Sequence, residues 1–363
     1  MNCFALCGCR VGPDYERPVF FSNERVEKAL ELKPTNHSPT YQIDFNDPVL
    51  RSLIAKAQQN APTIRLAMVR LRQTRLSTKI AQASLGPTLD ITGLRQFEKQ
   101  SRNMDALVNE DYYNLGFDAS WEIDIWGGTR RRIEAAKANE AGAIESLKNI
   151  TVSLSAEIAS SYIQLRTAEE LLKQARENLT IQKGIYQLTA DLYATGLSNA
   201  IDTNQSAYLV DSTKATIPQY EYQIVSAKNT LTYLVGLLPG ELDTLLAESK
   251  TNLITQPLPV RIQDLRSLPV RVLQNRPDVR EAEQNLIAQN AAVGEAIANL
   301  YPQVTLSAFL GFESLHADNL LNHKSYGYSL APNLTQPIFH FGALKNNVAL
   351  QKELKAESLI LYE

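Results

Sequence analysis

The chain has 363 residues, a formal net charge of −3 and 44% hydrophobic residues, and its length alone suggests two or three domains. So near-neutral a balance offers nucleic acid no basic footprint, and the Arg130-Arg131-Arg132 cluster is of the kind that lines a solvated or interfacial face. No stretch approaches 18 consecutive apolar residues, so no transmembrane helix is encoded, and a membrane protein of this sequence has to cross on strands.

The three cysteines, Cys3, Cys7 and Cys9, all lie in the first nine residues. A body without thiols has no disulfide framework and no cysteine zinc site, and it suits an oxidising compartment. Leu6-Cys7-Gly8-Cys9 reads as a bacterial lipobox, with residues 1–8 the remnant of a signal peptide and Cys9 the acylated residue. The competing reading is a fortuitous cysteine cluster, because the positive n-region and the longer apolar h-region are missing. Residues 9–46 then form an extended tether, punctuated by Pro13, Pro18, Pro34 and Pro39.

A helix is expected over 47–85, with Asp47 as N-cap, Pro48 in the first turn and a pause at Asn60-Ala61-Pro62. Gly86-Pro87 ends it and the period changes to two. Strands are expected over 88–98 and 112–124. In the second, Tyr113, Leu115, Phe117, Ala119, Trp121 and Ile123 face one way; Asn114, Gly116, Asp118, Ser120 and Glu122 face the other. Such alternation suits a tilted strand crossing a bilayer, or equally a half-buried strand of a soluble sheet. Aromatic residues near the strand ends (Phe97, Tyr112, Tyr113, Trp121 and Trp126) favour a membrane belt.

A long helical hairpin is expected over 128–235. The run Arg130–Tyr193 (193 − 130 + 1 = 64 residues) holds no proline, and Leu147, Ile150, Leu154, Ile158, Ser161, Leu165, Ala168, Leu172, Ala175 and Leu179 form one stripe close to the 3.5-residue period of a coiled-coil seam. At about 1.5 Å per residue the helix would be roughly 95 Å long, too long for a compact domain. Gly196 suits a left-handed cap, Ser198–Asp202 restarts a returning helix, and Pro218 is expected to kink it. A linker over 236–259 follows.

From Pro269 the pattern starts again. Asn275-Arg276-Pro277-Asp278-Val279-Arg280 mirrors Asn60-Ala61-Pro62-Thr63-Ile64-Arg65 at an offset of 277 − 62 = 215, which also pairs Leu85 with Leu300, Pro87 with Pro302 and Gly127 with Gly342. One offset without gaps marks a tandem duplication. The first repeat is 47–259. The second, 260–363, should carry a helix over 270–299, strands over 303–313 and 326–337, and the start of a long helix over 342–363. Phe312, Tyr326 and Tyr328 extend the aromatic belt. Glu363 corresponds to Lys148, so the sequence reads as a copy truncated about a third of the way into its second long helix. Four strands in one chain cannot close a barrel, so membrane strands would require an oligomer.

The sequence resembles the TolC-like outer-membrane efflux channels, in the lipoprotein branch typified by OprM and NodT. The resemblance rests on Cys9–Pro18, on Trp121-Glu122-Ile123-Asp124-Ile125-Trp126-Gly127, on Asn275–Val279 and on Leu192–Asp202. It implies a mainly α protein with membrane β-strands: a homotrimer with a 12-stranded β-barrel, four strands per chain, continued by a long α-helical barrel through the periplasm. It further implies a passive exit duct for drugs or other small molecules, set in outer-membrane lipid and joined through a periplasmic adaptor protein to an inner-membrane pump. On this reading Cys9 is lipidated, by palmitate among other chains, and Tyr193, Thr195, Gly196, Leu197, Asn199 and Asp202 form the adaptor-contacting hairpin tip. Leu192 stands where the family often has arginine. The family's gating carboxylates belong to a second hairpin tip, absent from this chain. No cofactor is implied.

Two other classes remain. An enzyme is disfavoured because His37, His316, His323 and His340 show no metal-ligand spacing and neither a nucleophile elbow nor a phosphate loop is present. A non-catalytic periplasmic coiled-coil or adaptor-type protein would explain the long helices but not period-two strands ending in aromatic residues. A non-functional fragment of a channel is the remaining alternative.

Overall fold

A computed structural model describes residues 10–18, 47–99, 109–247 and 274–363. They form α1 (Pro48–Asn60), α2 (Pro62–Ala83), β1 (Thr88–Lys99), β2 (Asn109–Ile123), α3 (Gly128–Ala194), α4 (Ala200–Val235), α5 (Glu241–Ala247), α6 (Pro277–Ala298), β3 (Gln303–Ser314), β4 (Tyr326–Thr335) and α7 (Ala343–Tyr362). Two 3-10 turns, Ala317–Asn319 and His323–Ser325, join β3 to β4. Residues 1–8, Cys9, the tether over 19–46 and the linker over 248–259 lie outside the described residues.

The duplication is reproduced to the residue in one helix and in the first strand of each repeat, while β4 is shorter than β2. Shifted by 215, the bounds of α2 become those of α6 and the bounds of β1 become those of β3. Gly127 and Gly342 hold matching left-handed φ values of 79° and 81° just before α3 and α7. The helix expected over 47–85 is two helices, because Ala61, pressed by the ring of Pro62, turns extended (ψ 128°) between them. Asp47 is the N-cap of α1, accepting from the backbone N–H groups of Val49 and Leu50. α5, a short helix inside the expected linker, carries Leu242 and Leu246 into the core.

The chain divides into two units. In the one drawn from residues 24–69 and 146–273, Leu50, Leu53 and Ile64 pack with Leu154, Ile158 and Leu165 of α3, Leu231 and Val235 of α4, and the two leucines of α5. No member of the ten-residue stripe is exposed: Leu154, Ile158, Leu165, Ala168 and Ala175 are buried and the others half-buried. Each fully buried leucine contributes about 1.5–3 kcal/mol relative to exposure. Tyr162, off the stripe, is fully buried because its hydroxyl donates to Asp47 (3.0 Å) and accepts from Arg166 Nε (3.1 Å). α4 is continuous through Pro218, and α3 and α4 are tied by Arg176–Glu221 (2.8 Å) and by the Thr189 and Ser206 hydroxyls (2.8 Å).

The other unit, drawn from residues 1–23, 70–145 and 274–363, contains the sheet, an antiparallel meander in the order β1-β2-β3-β4. Here α7 packs on α6, and on α6 Gly294 lies against Arg131 and Gly12 and Ala298 against Gly128, small residues that permit close approach.

Candidate functional site

The three strand registers keep the alternation of all four strands in phase. Leu115 lies opposite Phe312 and Phe117 opposite both Leu310 and Ile91. One face therefore carries Leu89 and Ile91; Leu115, Phe117 and Trp121; Leu306, Leu310 and Phe312; and Tyr328, Leu330 and Leu334. The other carries Asp90, Thr92 and Gln96; Asn114, Asp118, Ser120 and Glu122; Thr305, Ser307 and Glu313; and Ser329, Asn333 and Thr335. The apolar side chains stand open, Ile91 at 72% and Tyr328 at 79% exposure. An apolar face of this extent, broken only at the loop end by the Arg95–Asp111 ion pair, calls for lipid, not water. On the polar face Asp90 lies directly opposite Asp118, and Thr92 donates to the Asp118 carboxylate. Leu94, opposite Asn114, and Phe309 are apolar exceptions there; the Phe309 ring covers the Gly116–Gly311 pair, where a Cβ on Gly116 would come within 2.8 Å of the Gly311 Cα.

Among the belt residues, Phe97, Tyr113, Phe312, Tyr326 and Tyr328 share the apolar face towards the loop end of the sheet, and Trp121 shares it at the helix end. Tyr112 does not. Its position opposite Gln96 puts it on the polar face, where its hydroxyl donates to Glu313 (2.6 Å). Closeness to a strand end suggested a belt residue, but parity decides the face. Trp126 lies beyond β2, stacked on Tyr301 with ring centroids 4.8 Å apart, its Nε1 donating to the Pro302 carbonyl (2.7 Å).

The junction of strands and helices repeats as well. Trp121 Nε1 donates to the Leu85 carbonyl (2.9 Å), and Gln336 Nε2, its counterpart 215 residues on, donates to the Leu300 carbonyl (3.1 Å). Different side chains thus satisfy the same orphan carbonyl past the helix end. Asp124 caps α3, accepting from the backbone N–H groups of Thr129 and Arg130 and from Arg130 Nε.

Val11–Arg17 is bonded along its length to this unit. Arg131, 0% exposed, donates to the carbonyls of Val11 (3.2 Å) and Gly12 (3.0 Å) and to the carboxylates of Asp14 (2.9 Å) and Glu134 (3.0 Å). The Val11 N–H donates to the Trp126 carbonyl, Asn290 to the Pro13 carbonyl (3.0 Å), and Tyr15 and Arg17 to Glu283. Arg10 pairs with Glu134. Burial, and then the negative charge of Glu283, raise the Tyr15 hydroxyl above its ordinary pKa. The basic cluster is accordingly interfacial rather than wholly solvated: Arg131 is buried under this strap, Arg130 holds Asp124, and Arg132, half exposed, holds Glu295 (2.7 Å). Nothing in the Arg-Arg-Arg pattern distinguishes the buried member.

At the hairpin tip Gly196 has φ 78°, the Leu197 N–H donates to the Leu192 carbonyl and the Gly196 N–H to the Tyr193 carbonyl. This is a Schellman cap. Asn199 accepts from the Asp202 N–H (3.0 Å) while Ser198 donates to the Asp202 carboxylate (3.0 Å), so both side chains start α4. The Thr195 hydroxyl donates back to the Asp191 carbonyl (3.1 Å). Of the six expected tip residues, Thr195, Gly196, Asn199 and Asp202 build the turn, leaving Tyr193 and Leu197 (77% exposed) open.

A sheet apolar on one face and polar on the other, with both edges unpaired among the described residues and very long helices in the same chain, is a piece of the wall of a membrane channel. The chain belongs to the outer membrane efflux protein family, whose model matches residues 53–237 and 268–363, two segments that begin 215 residues apart (268 − 53). It is 28% identical over 376 residues to the toluene efflux pump outer membrane protein TtgF of Pseudomonas putida, covering 99% of this chain and 76% of that one. It is 26% identical over 367 residues to the cation efflux system protein CusC of Escherichia coli K12, covering 99% and 78%. The solved outer-membrane channel OprN superposes with a TM-score of 0.84 at 30% identity, over 98% of this chain and 79% of that one. The protein is the outer-membrane channel component of an efflux pump, with a periplasmic helical domain, in a family of conduits rather than catalysts.

Proposed function

We propose that three copies close a 12-stranded barrel whose apolar face meets outer-membrane lipid and whose polar face lines a passive exit duct for small molecules. The carrying observation is the sheet itself: among the described residues, four strands, two faces of opposite chemistry and two unpaired edges, β1 and β4. Open edges are not tolerated in lipid and closed barrels begin at about eight strands, so copies must share one barrel. The duct is fed by an inner-membrane pump through a periplasmic adaptor that meets the tip at Tyr193 and Leu197. Relatives named for toluene and for cation efflux suggest that the duct itself discriminates little and that the pump selects.

Cys9 is the lipid attachment point. Arg10, the next residue, lies against the Gly127 turn between β2 and α3, which favours an acyl chain at the level where strands give way to helices. One acyl chain anchors only marginally, so the barrel is the main anchor. The first experiment is the native mass of the chain extracted in detergent from the outer-membrane fraction, with palmitate labelling alongside. A discrete trimer, with a label that Cys9→Ser removes, is expected. A monomer or a salt-extractable species would overturn the barrel, and a label retained in Cys9→Ser would overturn the anchor.

A further inference from the structure

Within the unit that holds the sheet, the residues just after α2, the first turns of α3 and the middle of α6 border a cavity of about 580 Å³. Leu85, Ile133 and Ile287 give it an apolar floor, and Arg10, Arg130 and Lys137 bring three cations to its wall. We propose that this cavity holds the headgroup of an anionic phospholipid from the periplasmic leaflet, with the phosphate between Arg10 and Lys137 and the start of the acyl chains over Leu85. The proposal rests on the lipid-facing reading of the sheet above and adds a specific ligand to it.

Position is the first support. Trp121 lies on the apolar face at the helix end of the sheet, and its indole donates to the Leu85 carbonyl, so the cavity begins where the lipid-facing surface stops. A tryptophan with one end apolar and the other hydrogen-bonded suits the headgroup boundary. From Arg130 to Lys137 the cavity follows α3 for about 10 Å. Charge is the second support. Arg10 and Arg131 share the single Glu134 carboxylate, and Arg130 is held by Asp124. Asp14, the other acidic partner of Arg131, points to water. Lys137 is exposed and has no hydrogen-bond or ion-pair partner among the described residues, so the positive excess sits at the rim of the cavity. Gln284, also on the wall and also without a partner there, can donate to a phosphate or ester oxygen. The floor is the third support. A free phosphate gains nothing from Leu85, Ile133 and Ile287, whereas an acylated glycerol does.

The test is native mass spectrometry of the full chain, stripped of lipid in detergent and then offered dioleoyl phosphatidylglycerol or dioleoyl phosphatidylcholine. The wild type should retain phosphatidylglycerol in clear preference. Lys137→Gln should lower that preference roughly fivefold, the share of one basic residue beside an anionic headgroup, and Lys137→Arg should keep most of it. Leu85→Gln should weaken retention as well, because it makes the floor polar. Lys173→Gln, further along α3 beside Glu170, should change nothing. All three positions are exposed, so the variants keep the fold. Equal retention of the two lipids by the wild type, or an unchanged preference in Lys137→Gln, would overturn the site. Displacement of the lipid by inorganic phosphate would reduce it to a simple anion site and overturn the lipid. The cavity belongs to one chain, so the two readings fail separately. A trimer without the preference would remove this site and leave the barrel, while a monomer that keeps it would remove the barrel and leave this site.

Discussion

Replacing Arg131 by methionine should free the N-terminal strap while leaving the sheet in place. The methionine keeps most of the apolar stem in its buried slot and removes the guanidinium that holds Val11, Gly12 and Asp14. The Asp14 carboxylate is 82% exposed, so solvent screens that pair and it contributes little. The two backbone carbonyls each lose a charge-assisted hydrogen bond, about 1.5–3 kcal/mol apiece. Glu134 keeps Arg10 as its partner. The strap should thus lose about 3–6 kcal/mol, and since 1.4 kcal/mol is about tenfold, local opening should become roughly 10²–10⁴ times more frequent. Hydrogen exchange followed by mass spectrometry reads this directly, because the Val11 amide is protected only by its bond to the Trp126 carbonyl. Faster exchange confined to residues 10–18 is expected. Unchanged protection there, or equal loosening of β2 and β3, would refute the reasoning.

Three further outcomes follow from the same geometry. Tyr162→Phe keeps the ring but strips Asp47 of a buried donor, and should cost about 1–3 kcal/mol in denaturant titration. Burial raises the Tyr162 pKa, so its contribution is present below the ordinary tyrosine value of about 10 and is lost as pH rises through the higher native value. The variant should therefore lose less stability than the wild type between neutral and strongly alkaline pH, and parallel losses would count against the assignment. Trp121→Phe removes the bond to the Leu85 carbonyl at a cost of about 0.5–1.5 kcal/mol, and Gln336→Leu should cost a similar amount at its own junction; a zero effect at both, by thermal unfolding in detergent, would show that water replaces the donor. Gly196→Pro cannot adopt φ 78° and loses the N–H that bonds Tyr193, so the tip should deform and efflux-dependent resistance should fall several-fold at unchanged protein level; full resistance would separate the tip from adaptor coupling.

The long stripe on α3, the alternation of β2 and the 215-residue offset were all legible, because each is a period imposed by burial on one side. Bounds followed from proline and glycine: Pro62 and Pro277 each start a helix, and Gly127 and Gly342 each turn a strand into one. What stayed hidden depended on contacts far apart in sequence. Tyr162 falls off the stripe and is buried because Asp47, 115 residues away, accepts a hydrogen bond from its hydroxyl. Arg131 cannot be told from its neighbours until the carbonyls of Val11 and Gly12 arrive. Tyr112 and Tyr113 are equally aromatic and equally close to the loop, and only the ladder assigns them to opposite faces.

The two repeats diverge where their neighbours differ. The strand-to-helix turn, the hydrogen bond to the helix-end carbonyl and the bounds of the first strand are kept, because both repeats must supply the same kind of barrel wall. The residues that hold the strap are not kept. The counterpart of Arg131 is Asn346, and those of Asn290, Gly294 and Glu283 are Arg75, Lys79 and Met68. A Cβ on Gly294 would come within 3.0 Å of the Arg131 side chain, so even a small side chain there would push the guanidinium away from the strap. A chain has one N-terminal segment and two pseudo-equivalent junctions, so a binding groove for that segment is useful at one of them only. Divergence at the other junction exchanges a capping carboxylate and an indole for Phe339 and Phe341. A polar cap and an N–H suit a partner fixed within the chain, whereas paired rings can be covered without leaving hydrogen bonds unmet.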